Sequence, residues 1–384
     1  MQRKKPIKVA FPHMGNVYIA WASALRKLGV EPFIPPKTSK RTLELASKYS
    51  PESICLPYKL ILGNFMQALE QDVDYVAMIS SPGICRLGEY GQSIKNVLKE
   101  LGYESKYVEL QLYDGFKGMY RFLTEVTHIK NPITIIRSIN IFVRKIFTLD
   151  RIENLYSYYR AREITQGTAE KHYNKALSMV LEAENTKELH KIEKQALEEI
   201  KKTPIDETRE VVNVDITGEI FLVQDTFSNQ NIEKELGKMG VQTRRSLTIS
   251  GFLKDAIIPK WFKKGETHLE RAFRMAKPYL MRDIGGDALE SVSDVAFANQ
   301  RGIDGIIHVS PFTCMPEIMS QNIFPSMREN CEIPLLTLIM DEQTGRAGYI
   351  TRLEAFVDLI RRRKFIKSRK NTKDNTSEIQ KANT

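Results

Sequence analysis

An α/β architecture is predicted by the alternation of short apolar runs with stretches of helical period at both ends of the 384-residue chain. Two further observations frame it. Residues 116–206 carry no strand pattern and are rich in helix formers, and a composition of 42% hydrophobic and 27% charged residues is that of a core-forming globular chain. Collagen-like, coiled-coil-only and wholly disordered readings are thereby excluded.

The elements follow in order. Ile7 to Phe11 reads as a strand, Val17 to Leu28 as a helix, Pro32 to Ile34 as the next run, and Thr42 to Lys48 continues the alternation. A helix from Pro57 to Leu69 leads into the run Tyr75 to Ile79, a helix from Tyr90 to Leu101 and the run Tyr107 to Leu110. In the helix after Tyr90, residues Ile94, Val97, Leu98 and Leu101 share one stripe, as a crossover helix over a parallel sheet requires. In the middle region the charged run Lys187 to Lys202 is predicted as a helix capped by Asn185 or Thr186 and followed by Pro204.

Alternation then resumes. Glu219 to Val223 reads as a strand, Asn231 to Met239 as a helix ended by Gly240, and Val295 to Gln300 as part of a helix before the strand Gly305 to Val309. Pro334 to Met340 is the next strand. The last helix is predicted to open on a T-x-x-E capping box at Thr351 and Glu354, with Leu353, Phe356, Val357 and Ile360 on its core stripe. The sequence thus divides into an α/β domain over 1–115, a helical insertion or cap over 116–206, a second α/β domain over 207–366 and a basic, disordered tail over 367–384. The expected fold is two Rossmann-like, doubly wound parallel-sheet domains joined by a helical region.

The net charge of +10 would suggest an acidic partner if it were spread evenly. From Arg361 onward there are nine basic and two acidic residues, so most of the charge belongs to the tail and no specific nucleic-acid partner is expected. The apolar stretch Ile133 to Phe147 is broken by Arg137, Arg144 and Lys145, and the apolar residues after the basic start end at His13 and Asn16. Neither a membrane span nor a signal peptide is predicted, and a cytoplasmic location with reduced thiols is expected.

Ligands of open parallel sheets bind beyond the carboxyl ends of the strands. That rule sorts the four cysteines. Cys85, in SSPGICRLG, follows the run Tyr75 to Ile79, and Cys314, in SPFTCMPE, follows Gly305 to Val309. Cys55 immediately precedes the helix at Pro57, where a helix N-terminus is expected to lower a thiol pKa. Cys331 precedes its strand, lies at the opposite edge and is excluded. The three remaining thiols are compatible with small buried core residues, with zinc bound by three Cys and His308, or with an iron–sulfur cluster keeping one iron free of a protein thiolate. For His308, near a strand end, a hydrogen-bonded core role competes with ligation. Secondary candidates are the Gly285 to Asp287 turn as a phosphate cradle, Asp341 and Glu342 as acid/base groups, and Arg86 and Arg352 as partners for an anion. The chain carries no Walker loop and no G-x-G-x-x-G, so nucleotide hydrolysis is not expected within it.

The stretches SPESICLPYKLILGN, SSPGICRLGEYGQ, GIDGIIHVSPFTCMPEI and LIMDEQTGRAGYITRLEAFVDLI resemble the 2-hydroxyacyl-CoA dehydratase subunit family, and more closely the partner region of the acyl-CoA dehydratase activase-related proteins. The resemblance implies a 4Fe-4S cluster, or half of a double-cubane cluster, held by Cys55, Cys85 and Cys314. It further implies an ATP-hydrolysing iron–sulfur activase as electron donor, and a homodimer or a pairing with a related dehydratase subunit. The implied substrate is a small molecule of the acyl-CoA kind, reduced by one low-potential electron before it loses water. Two roles stay open: a dehydratase-like lyase or iron–sulfur reductase component, and a non-catalytic electron-transfer or assembly partner of an activase.

Overall fold

The computed structural model describes residues 6–80, 85–103, 106–111, 115–257 and 265–382. Its first unit runs β1 (Lys8–Ala10), α1 (Val17–Lys27), β2 (Glu31–Phe33), α2 (Lys40–Ser47), α3 (Leu56–Leu69), β3 (Tyr75–Ser80), α4 (Leu87–Glu100) and β4 (Tyr107–Gln111). These four strands form one all-parallel sheet in the order β2-β1-β3-β4. Four helices follow: α5 (Gly115–Thr127), α6 (Pro132–Arg162), α7 (Thr168–Glu182) and α8 (Thr186–Lys201).

The second unit begins with β5 (Val212–Gly218), α9 (Ile220–Gln224), α10 (Ile232–Lys238), β6 (Val241–Arg245), α11 (Ile249–Ile257), α12 (His268–Ala276) and α13 (Ala288–Phe297). It ends with β7 (Gly305–Pro311), α14 (Met315–Met327), β8 (Leu335–Met340) and α15 (Arg346–Ala382). Its sheet is again all parallel, in the order β6-β5-β7-β8. The two sheets therefore share one winding, and the mixed α/β fold with two parallel sheets is as the sequence predicts.

Each winding reverses direction between its two central strands, β1 and β3 in one sheet, β5 and β7 in the other. The loops leaving those strands diverge and leave a crevice, the usual ligand position in such sheets. Leu60 and Phe65 of α3 share one buried core with Val309 of β7, Leu338 of β8 and Leu353 of α15, so the two units are packed through a common interior.

The long helix α6 has its start fixed by Asn131, whose side chain accepts from the Ile133 and Thr134 amides, and by Pro132 in its first turn. At 1.5 Å per residue its 31 residues span about 46 Å. Ser138 of α6 donates to the Ala24 carbonyl of α1, while Ser157 donates to the Thr243 carbonyl of β6. The helical region is thus a strut between both sheets. The cap at Asn185 is present, with the Glu188 amide donating to its side chain.

Some elements differ from expectation. Glu219 to Val223 is not a strand: Glu219 caps α9, and the strand of that region is β5, immediately before it. Nor does the last helix open at Thr351, which lies inside α15 with its hydroxyl on the Ala347 carbonyl. The chain enters α15 through a turn in which Thr344 Oγ1 donates to Asp341, so the T-x-x-E pattern is incidental. The predicted stripe of Leu353, Phe356, Val357 and Ile360 is buried, and α15 continues to Ala382, past the boundary at 366. Among the described residues no helix is long and apolar enough to cross a membrane.

Lys145 of α6 is fully buried, and its ammonium reaches Ser23 Oγ and the Val180 and Leu181 carbonyls at the end of α7. Burial, and then the charge of Arg26, pushes its pKa down to about 7. An unfolded lysine holds its proton to about pH 10.4, so between those values the unfolded chain binds more protons and stability rises with pH. The stability difference between wild type and Lys145→Met is expected to move by about 2 kcal/mol in favour of wild type from pH 7 to 9. Urea midpoints at both pH values check this. An unchanged difference would contradict a lysine that deprotonates in the fold.

Candidate functional site

Cys55 and Cys314 occupy equivalent local positions. Cys55 is the N-cap of α3 and Cys314 the N-cap of α14, each followed two residues later by a proline, Pro57 and Pro316, in the first helical turn. Cys85 directly precedes Arg86, the N-cap of α4. All three are free thiols; Cys55 and Cys314 are buried and Cys85 is half-buried. The start of the Cys85 loop, 81–84, lies outside the described residues.

One backbone atom joins the three cysteine loops. The Ser53 carbonyl, two residues before Cys55, accepts from Arg86 Nη1 at 2.9 Å and from Thr313 Oγ1 at 3.0 Å, and these donors flank Cys85 and Cys314. Thr313 has φ +65°, a left-handed backbone that is rare for a β-branched residue and accompanies strain at functional positions. On the far side Gly286, φ +66°, fills the gap between loops: a Cβ there would stand 2.6 Å from Pro316 Cγ and 3.5 Å from Cys85 Cβ. The loops that carry the three thiols selected by the strand-edge rule therefore come together. Cys331 is half-buried and lies beyond the end of α14, ahead of β8.

The electrostatics of this convergence were not visible in the sequence. Glu219, at the carboxyl end of β5, accepts from the Phe221 and Leu222 amides at 3.1 and 2.9 Å, and its charge acts on all three thiols. Its own pKa is pushed up to about 8 by burial and then by Asp287 and Glu317. Asp287 accepts from the Ile220 amide at 2.9 Å and is pushed up to about 7 by burial and then by Glu317. Burial raises each thiol, Cys85 to about 12, with Glu219 adding to the rise, and the neighbouring Cys55 raises both Cys85 and Cys314. For Cys55 this reverses the expectation from its helix start. The Tyr90 hydroxyl, which contacts Cys55 Sγ, and the Tyr58 amide pull its pKa down, but desolvation outweighs both.

The other candidates find definite places. His308 is fully buried with Nε2 2.6 Å from Glu317 Oε2, which also accepts from Ser291 Oγ at 2.9 Å. It is a core histidine with a carboxylate partner. The Gly285 to Asp287 turn packs against Pro316 and α9. Glu342 pairs with the buried Lys59 of α3 at 2.6 Å and ties the two units together. Asp341 accepts from the Gln343 amide in its own turn. Arg86 stays at the thiols, whereas Arg352 donates to the Thr337 carbonyl of β8 and is not part of the site.

Among the described residues no group of three or more His, Cys, Asp or Glu side chains is arranged to hold a single metal ion. Thiolates of a cubane cluster each bind a different iron, so they stand farther apart than ligands of one ion. The residues present fit such a group in that three cysteine loops meet at the Ser53 carbonyl and Cys55 lies close enough to Cys85 and Cys314 for its charge to act on both.

Fold and site together define a two-sheet parallel α/β protein in which the three cysteine loops are joined at one backbone carbonyl. Residues 11–246, more than half of the chain, match the CoA enzyme activase uncharacterised domain, and the chain belongs to that family. The matched segment contains Cys55, Cys85 and Glu219 and ends before Cys314. No curated protein matches the chain.

Proposed function

We propose that Cys55, Cys85 and Cys314 hold an iron–sulfur cluster, and that the protein catalyses or supports a low-potential, one-electron reduction of an acyl-CoA or other small substrate with a separate ATP-hydrolysing activase. The observation that carries this reading is the Ser53 carbonyl, which draws the three cysteine loops of both units to one point. Membership of a CoA enzyme activase-related family supports the activase partner. A cluster bound here would supply one-electron transfer at the low potential that amino-acid side chains do not reach.

The chain's own residues supply ligation and enclosure. The helix starts at Cys55 and Cys314 place the α3 and α14 amides beside the thiolates that ligation requires. Tyr90 orients Cys55, and Gly286 allows the loops carrying Cys85 and Pro316 to close without a side chain between them. The buried surroundings of Cys55 and Cys314 keep bulk water away from the group they would hold.

Anaerobic reconstitution with iron and sulfide is the test. About four iron and four sulfide per chain and a broad charge-transfer absorbance are expected. Both should be lost in Cys55→Ala, Cys85→Ala and Cys314→Ala and kept in Cys331→Ala. Loss in Cys331→Ala with retention in Cys85→Ala would place the cluster elsewhere. Adding an activase, ATP and a reductant with acyl-CoA substrates separates the two roles: turnover marks an enzyme, and a reducible but inactive cluster marks a carrier.

A further inference from the structure

A second site lies across α9 from the thiols. Here a cavity of about 510 Å³ opens at the carboxyl ends of β1, β2, β5 and β6, walled on its other side by α6 and α7. That size is usual for a small-molecule pocket, and the position is where parallel sheets bind ligands. Gln224, in its wall, ends the same five-residue helix that Glu219 begins. At 1.5 Å per residue about 7.5 Å of helix separates the cavity from the carboxylate that acts on the thiols.

The charges around the cavity are unequally committed. Arg245 is taken up by Glu153 and Glu233, each at 2.7 Å, and Lys234 by Glu170 at 2.7 Å. The Asp225 carboxylate accepts from the Ser228 amide at 2.7 Å. Lys37 and Arg160 also line the cavity, and neither lies within salt-bridge distance of a described carboxylate. Arg160 is buried, with its guanidinium 4.5 Å from the Tyr156 ring centre and Nη2 3.3 Å from Thr243 Oγ1. Its charge reaches Glu233, which Arg245 already holds in a direct pair, and a buried guanidinium without a carboxylate in direct contact favours an incoming anion.

The same walls limit how much negative charge can enter. Glu153, Glu170, Asp225 and Glu233 all line the cavity, and a phosphate or a polyphosphate would meet them at close range. A single carboxylate carries one charge, meets less of that repulsion and matches the two cations that no described carboxylate holds at salt-bridge distance. Tyr156 and Tyr173, stacked at 4.0 Å with an interplanar angle of 7°, line the cavity and offer aromatic carbon to its carbon skeleton. At the rim, Gln230 and Asn231 hold consecutive left-handed backbones, φ +53° and +58°, a conformation that side chains seldom adopt twice in succession.

We propose that this cavity binds a small organic monocarboxylate, with Lys37 and Arg160 as its charge partners and the Tyr156–Tyr173 pair as its aromatic lining. The site does not depend on the cluster, and its test uses the iron-free, full-length protein. Calorimetric titration with gluconate, benzoate and hexanoate, each beside its carboxamide, is run with inorganic phosphate and coenzyme A as separate arms.

At least one carboxylate should bind, and its carboxamide about tenfold more weakly. The exposed Lys37 permits a clean variant: Lys37→Met should weaken the carboxylate about tenfold at unchanged melting temperature, and Lys37→Arg should restore it. Equal binding of acid and amide, binding of phosphate or coenzyme A alone, indifference to Lys37→Met, or no binding at millimolar concentrations overturns the proposal. Because none of these arms involves iron, their failure leaves the cluster reading standing, and the converse holds as well.

Discussion

Gly218→Ala is expected to destabilise the protein by about 4 kcal/mol or more, a loss reserved for the few positions where backbone meets backbone. Gly218 is the last residue of β5, with φ +123°, and a Cβ there would lie 1.9 Å from the Val309 carbonyl oxygen and 2.8 Å from the Val309 nitrogen and carbonyl carbon. Neither strand can give way. Gly218 is paired in register with Val309 in the middle of the sheet, every residue of β7 is buried, and the Glu219 amide donates to that same Val309 oxygen at 3.0 Å. The glycine lets β5 leave the sheet while pressed against β7, which places Glu219 over the thiols. Gly29, also left-handed at φ +70° but with nothing within 4 Å of its Cβ position, is the control. Gly29→Ala should cost about 1 kcal/mol, from backbone strain alone. Urea midpoints of the two variants decide the matter, and a Gly218 variant no less stable than the Gly29 variant would refute the packing argument.

The same turn shows where the sequence was readable and where it was not. The cysteines could be sorted because the edge rule needs only the ends of strands, and β3 and β7 announce themselves as runs of apolar and β-branched residues. In β5, Asn213, Asp215 and Thr217 interrupt the run, and the apolar Ile220 to Val223 beyond it looked more like the strand. Asn213 is only half-buried, and Asp215 and Thr217 are tolerated in a central strand because each has a partner. Asp215 is buried between Arg244 at 2.7 Å and Arg301 at 3.0 Å, and Thr217 donates to Asp294. Such partners come from helices and strands far along the chain, so periodicity cannot reveal them. For the same reason Glu219 and Asp287 could not be read as neighbours of the thiols, and Tyr90 could not be assigned to Cys55. Desolvation escaped as well. A helix start suggests a lowered thiol pKa, whereas burial, which is set by tertiary packing, raised it.

Severing the His308–Glu317 pair is the second large effect. Both side chains are fully buried, 2.6 Å apart, with Ser291 on the same carboxylate oxygen and the Phe324 ring edge-on to the imidazole at 5.0 Å. His308→Leu removes the imidazole and leaves Glu317 inside the protein with Ser291 as its remaining side-chain partner, and a stability loss of about 3–5 kcal/mol is expected. Replacing both partners by apolar residues removes the stranded group, so His308→Leu with Glu317→Met should recover most of that loss. A cycle of four proteins, followed by urea unfolding at pH 7, measures the coupling directly. If the double variant is no more stable than His308→Leu, the cost lies in packing against Phe324 and not in an abandoned carboxylate. The distinction bears on the thiol site, because Glu317 stands in the first turn of α14, three residues from Cys314, and its charge raises that thiol. A pair retained for stability alone could be exchanged for apolar residues with iron incorporation unchanged. A pair that holds the first turn of α14 in place should, when exchanged, lower the iron content of the reconstituted protein even though the fold is kept.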